Sequence, residues 1–161
     1  MMQGGEDVPP SFTTEKEKNV AEQRVDRLKS LHRGEIAATE TYVQALEQLG
    51  NDPCAGDLTA IRDDHREFAN EMRKHVHELG EEPDQSSEIW GQWAKAVEGG
   101  AKLLGKSGAL TALQEGEKQG INSYESALQE PIPEVCKTAI RSTLLPKMRD
   151  HVATLARLMS A

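Results

Sequence analysis

The chain carries 27 Asp and Glu against 19 Lys and Arg over 161 residues, for a formal charge of -8. That is one domain's length, enough to bury a core without staples, and its acidity argues against a nucleic-acid or anionic-membrane partner. Leu, Ala, Glu, Gln, Lys and Arg dominate, no run alternates apolar and polar residues for long, and no stretch of about eighteen apolar residues occurs, so the expected class is all-α without a membrane span.

The first thirteen residues, rich in Gly and Pro, have little to bury and are expected to be disordered, leaving an ordered domain over 14–161. The opening also lacks the basic and apolar regions of a signal peptide, which predicts a cytoplasmic protein. Order begins at a capping box, Thr14-x-x-Glu17. The series Ala21, Val25, Leu28, Leu31, Glu35, Thr39, Tyr42, Leu46 then steps by three and four to Gly50, predicting one long helix. After Gly50-Asn51-Asp52-Pro53, a second helix carries Leu58, Ile61, His65, Phe68, Met72, Val76 and Leu79 on one stripe, ending at Gly80. His65 interrupts that apolar stripe.

From Glu81 to about Gly108 the pattern weakens around Pro83, a short helix with Trp90 and Trp93, and Gly99-Gly100. Antiparallel neighbours need only about two to eight linking residues, so this longer link predicts a helical crossover along the length of a bundle, with the two Trp packing it down. A third helix from about Ser107 points Leu110, Leu113, Glu117, Ile121, Tyr124 and Leu128 inward and stops at Glu130-Pro131-Ile132-Pro133. A fourth carries Ile140, Leu144, Met148, His151, Leu155 and Leu158, and Pro146 inside it should remove one backbone hydrogen bond and kink it.

The first and third helices repeat one another. Gly34–Leu46 and Gly116–Leu128 each place a glutamate seven residues before a tyrosine, and the offset of 82 residues continues from Cys54 to Cys136. Two duplicated antiparallel hairpins follow, with Glu35 and Tyr42 on one inward face and Glu117 and Tyr124 on its counterpart. The two cysteines fall at opposite ends of such a bundle and are read as free, inert thiols. His75 and His77 sit two apart and read as a solvated helix end, while His32, three before Glu35, either joins the inward polar groups or flanks them.

A Glu on the first helix, a His on the second, a Glu on the third and a His on the fourth resemble the ferritin-like superfamily of dimetal four-helix bundles, bacterioferritin and rubrerythrin included, over about residues 20–160. Within it the chain looks closest to a bacterial branch described as a domain of unknown function and linked with stress responses. The resemblance implies that Glu35 and Glu117 match the terminal metal ligands, His65 and His151 the histidines, and Tyr42 and Tyr124 the aromatics beside the site. The bridging glutamates do not match: Arg62 and Met148 stand three residues before the two histidines. The four groups are then either a buried, fully hydrogen-bonded network or an altered metal site.

The expectation is a dimeric, stress-associated structural or partner-binding bundle, without catalytic residues, whose dimetal centre is lost or reduced. It holds no metal, or one Fe, Mn or Zn ion. The alternative is an iron- or manganese-dependent oxidase or iron-handling protein using Glu35, His65, Glu117 and His151. If no ion is present, Arg62 is expected to turn inward between Glu35 and Glu117, with Met148 filling the other bridge volume. The family's large cages carry a fifth helix after the fourth; no such helix is expected here.

Overall fold

The computed structural model describes residues 14–83 and 90–161, with the side chains of 90–94 and 103–104 excepted. The described residues are all helix and short links, without strands: α1 (Glu15–Leu49), α2 (Ala55–Glu78), α3 (Trp90–Ala127), α4 (Glu134–Ala139) and α5 (Leu145–Ser160), with one π turn, Ile140–Leu144, joining α4 to α5. None of the described helices is long and apolar enough to cross a membrane. The expected disorder of residues 1–13 and the packing of Trp90 and Trp93 lie outside what is described.

Helix α1 begins where the capping box places it. Glu17 N–H donates to Thr14 Oγ1 at 3.2 Å and Thr14 N–H to Glu17 Oε2 at 3.3 Å, satisfying two end groups that the helix itself cannot. Cross-contacts fix the directions of the rest. Arg27 reaches the Ser123 carbonyl, Tyr42 reaches Glu117, and so α1 runs antiparallel to α3. Asp57 pairs with Arg157 and Asp64 with Lys147, so α2 runs antiparallel to α5. Lys29 with Glu81 and Glu35 with His65 make α1 antiparallel to α2. It follows that α2 and the second limb of α3 are parallel, and that the end of one and the start of the other stand at opposite ends of the molecule.

The link to that second limb differs from expectation. The helix predicted to stop near Gly99-Gly100 runs through both and breaks at Gly105, where φ is 63° and ψ is -140°, a region open in practice only to glycine. Gly100 then lies against Gly108: a Cβ on Gly100 would fall 2.5 Å from the Gly108 carbonyl oxygen. In a straight helix eight residues advance about 12 Å, so the chain folds back on itself at Gly105. Lys106, just past the break, pairs with Asp52 at 2.8 Å and ties this corner to the link between α1 and α2.

The core falls into two apolar bodies, one around Leu28, Phe68, Met72, Ile140 and Leu144, the other around Leu58, Leu110, Leu113 and Leu155. Cys136 is buried in the first and Cys54 in the second, both as free thiols. Tyr124 belongs to the first body and Tyr42 to the second; the layer between them is polar.

A candidate metal centre of two histidines and a carboxylate

That layer is assembled from four helices because each predicted stripe carries one polar residue at the same depth. Glu35, His65, Glu117 and His151 are all buried, none more than 5% exposed. Such groups, taken from water, are stable only when paired. His65 supplies the pairing: its Nδ1 lies 2.6 Å from Glu35 Oε2 and its Nε2 2.7 Å from Glu117 Oε1. Tyr124 donates to Glu35 Oε1 at 2.6 Å and Tyr42 to Glu117 Oε1 at 2.7 Å. His151 presents Nδ1 to Glu117 Oε2 at 3.3 Å and Nε2 to Asp64 Oδ2 at 2.8 Å, and Lys147 holds the other Asp64 oxygen at 3.2 Å. The His65 ring is stacked on Tyr42 and meets Phe68 edge-on, which limits its rotation.

The charges follow from these distances. Burial works against an ionised imidazole, but the Glu117 and Glu35 carboxylates, one on each nitrogen, outweigh it and raise the His65 pKa to about 10. Burial likewise works against a charged Glu117, and the His65 cation with the two histidine hydrogen bonds overcomes it, lowering that pKa to about 2. His65 is therefore an imidazolium that donates from both nitrogens. The tyrosine hydroxyls stay protonated: burial first, then Glu117 for Tyr42 and Glu35 for Tyr124, push both pKa values well above the phenol range.

The structure brings Tyr42, Tyr124, Glu35, Glu117, His65 and His151 together and leaves Arg62 out. The expected insertion of Arg62 between the carboxylates does not occur: its guanidinium donates from Nε and Nη2 to Asp63 Oδ1, at 3.0 and 2.8 Å, on the outer side of α2. A three-residue step leaves Arg62 about 60° off the His65 face, and the cation the carboxylates need is His65 itself. Met148 does reach the centre. Its Cε lies where a Gly120 side chain would begin, and it helps line a cavity of about 180 Å³ between α1 and α3 that touches Glu35, His65 and Tyr124.

Asp64 is the one member that the stripes do not single out. It precedes His65, and Asp150 precedes His151 in the same way, so a repeated Asp-His pair was available as a signal. Asp150 is exposed, and only Asp64 joins the network.

His65, Glu117 and His151 each offer a ligand atom, all within 4.8 Å of one another. This donor set suits one divalent iron, manganese or zinc ion. It does not suit two, because neither Arg62 nor Met148 contributes a bridging oxygen.

A family model described as a domain of unknown function, DUF2383, matches residues 23–130, which takes in Glu35, Tyr42, His65, Glu117 and Tyr124. No curated protein and no solved structure matches the chain.

Proposed function

The chain belongs to the DUF2383 family, and from its buried centre we propose a ferritin-like four-helix bundle whose dimetal site is lost or reduced, acting as a dimeric, stress-associated structural or partner-binding protein. The observation that carries this reading is His65, with one ring nitrogen against each of the two carboxylates that a dimetal centre would use as ligands. With a proton there, Glu35 and Glu117 share one cation without any ion, and both bridge positions lack a carboxylate. Metal analysis of the full chain, purified without a His tag, tests it. The expected content is far below one ion per chain. Near-stoichiometric iron or manganese that disappears in Glu35→Ala/Glu117→Ala would overturn it, and a monomeric elution position would remove the dimer.

A second reading is favoured by the clustering of His65, Glu117 and His151: an iron- or manganese-binding oxidase or iron-handling protein. In that case the ion supplies Lewis-acid or redox chemistry, and the chain's residues hold it, exclude water and keep both tyrosine hydroxyls aimed at the carboxylates. The cavity between α1 and α3 is then the way in.

A further inference from the structure

His151 is held differently from His65, and the difference is informative. Of its two ring contacts, the 2.8 Å one between Nε2 and Asp64 Oδ2 has good hydrogen-bond length, while the 3.3 Å one between Nδ1 and Glu117 Oε2 is long. Nε2 is therefore the nitrogen engaged by its carboxylate partner. Lys147, 3.2 Å from Asp64 Oδ1, keeps that carboxylate from turning away. His151 Nδ1 is the more weakly held of the two nitrogens, and it faces Glu117 Oε2. On the far side of Glu117, His65 Nδ1 is bonded to Glu35 Oε2, so Nε2 is the nitrogen that can be given up to an ion.

Metal-binding imidazoles nearly always donate their second N–H to a carboxylate or carbonyl that fixes tautomer and orientation. Both histidines here do so, each to a different carboxylate. We propose that His65 Nε2, a Glu117 oxygen and His151 Nδ1 form a mononuclear site for a divalent transition-metal ion, with Asp64 and Glu35 as positioning residues rather than ligands. The inference rests on the second reading above and departs from it in demoting Glu35 and recruiting Asp64. An entering ion takes the place of the proton between His65 Nε2 and Glu117, which leaves to solvent, while the contacts of the second nitrogens with Glu35 and Asp64 stay in place.

The test uses the full chain, stripped by a chelator and titrated with Co²⁺ by visible absorption and with Zn²⁺ by calorimetry. One ion per chain is expected, with Co²⁺ bands that vanish in Glu117→Gln and His151→Gln. Asp64→Ala should weaken binding by about 10- to 100-fold at unchanged stoichiometry, and Asp64→Asn, whose amide oxygen still accepts the Nε2 hydrogen, should recover part of it. Glu35→Gln should still bind one ion. Two ions per chain, unaltered affinity in Asp64→Ala, or complete loss in Glu35→Gln would overturn this assignment while leaving a metal-binding function intact. Failure of the unaltered chain to bind either metal would overturn both. Should Asp64→Ala not fold, the ¹⁵N shifts of His151 in the Zn²⁺-loaded chain decide the matter: coordination through Nδ1 is expected, and coordination through Nε2 overturns the proposal.

Discussion

Two tyrosine hydroxyls serve the central carboxylates unequally. Glu117 Oε1 accepts from both Tyr42 and His65, whereas among the described residues Glu35 Oε1 accepts only from Tyr124. Removing Tyr124's hydroxyl strips a buried carboxylate oxygen of its donor, and hydrogen bonds to charged groups are worth about 1.5–3 kcal/mol. Tyr124→Phe is expected to lower unfolding stability by about 2–3 kcal/mol and Tyr42→Phe by less, measured by denaturant melts at unchanged slope. The residues of this network were legible where each broke an apolar stripe, as Glu35, His65, Glu117 and His151 do. Asp64 broke no stripe, because a residue one before His65 points about 100° away from its face; the repeated Asp-His pair marks it without showing that it serves the histidine of another helix. Arg62 was misplaced for the converse reason. Charge balance demanded a cation, and the sequence does not say that a histidine already inside would be that cation.

At the scale of elements, the π turn answers a mismatch that the sequence states openly. Cys136, Ile140, Leu144 and Met148, all buried, follow one another by fours. In an α-helix each such step overshoots a turn by about 40°, and three would carry Met148 about 120° from Cys136. A turn widened by one residue absorbs about 100° of that and keeps the stripe on one face. Leu145 N–H accordingly donates to the Ile140 carbonyl, five residues back. Pro146, expected to cause a kink, stands two residues past the end of the π turn, within the first turn of α5. If the buried stripe sets the π turn, Pro146→Ala should leave it in place and change stability by no more than about 1 kcal/mol, mostly through the unfolded chain. Backbone ¹³C shifts and a thermal melt would check this, and reversion of 140–144 to regular α-helix would assign the turn to the proline instead. Helix starts and stops were readable from capping and Pro signals. The Gly105 reversal was not, since Gly99, Gly100 and Gly105 look alike in sequence and tertiary packing alone selects the one that bends.

Over the whole molecule, the central ion pair ties stability to pH from both ends. His65, with its pKa raised from about 6.5 to about 10, contributes stability that is complete below the unfolded value and lost as pH rises through the folded one. Glu117, lowered to about 2, contributes stability that is complete above the unfolded carboxylate value and lost as pH falls through the folded one. These are one interaction seen from its two partners, so the metal-free protein should melt highest between about pH 4.5 and 6.5. Melting temperature should fall on the alkaline side toward pH 10, and His65→Gln should abolish that alkaline slope. A flat profile in the unaltered chain would show that His65 is not the central cation. The tyrosine bonds carry a different implication. Tyr42 of the first half donates to the glutamate of the second, and Tyr124 of the second donates to the glutamate of the first. Residue i meets j while j meets i, the contact rule of a two-fold symmetric homodimer. Joined in one chain, the two halves meet at a fixed effective concentration, and what would be a dissociable, dilution-sensitive pairing becomes an intramolecular one.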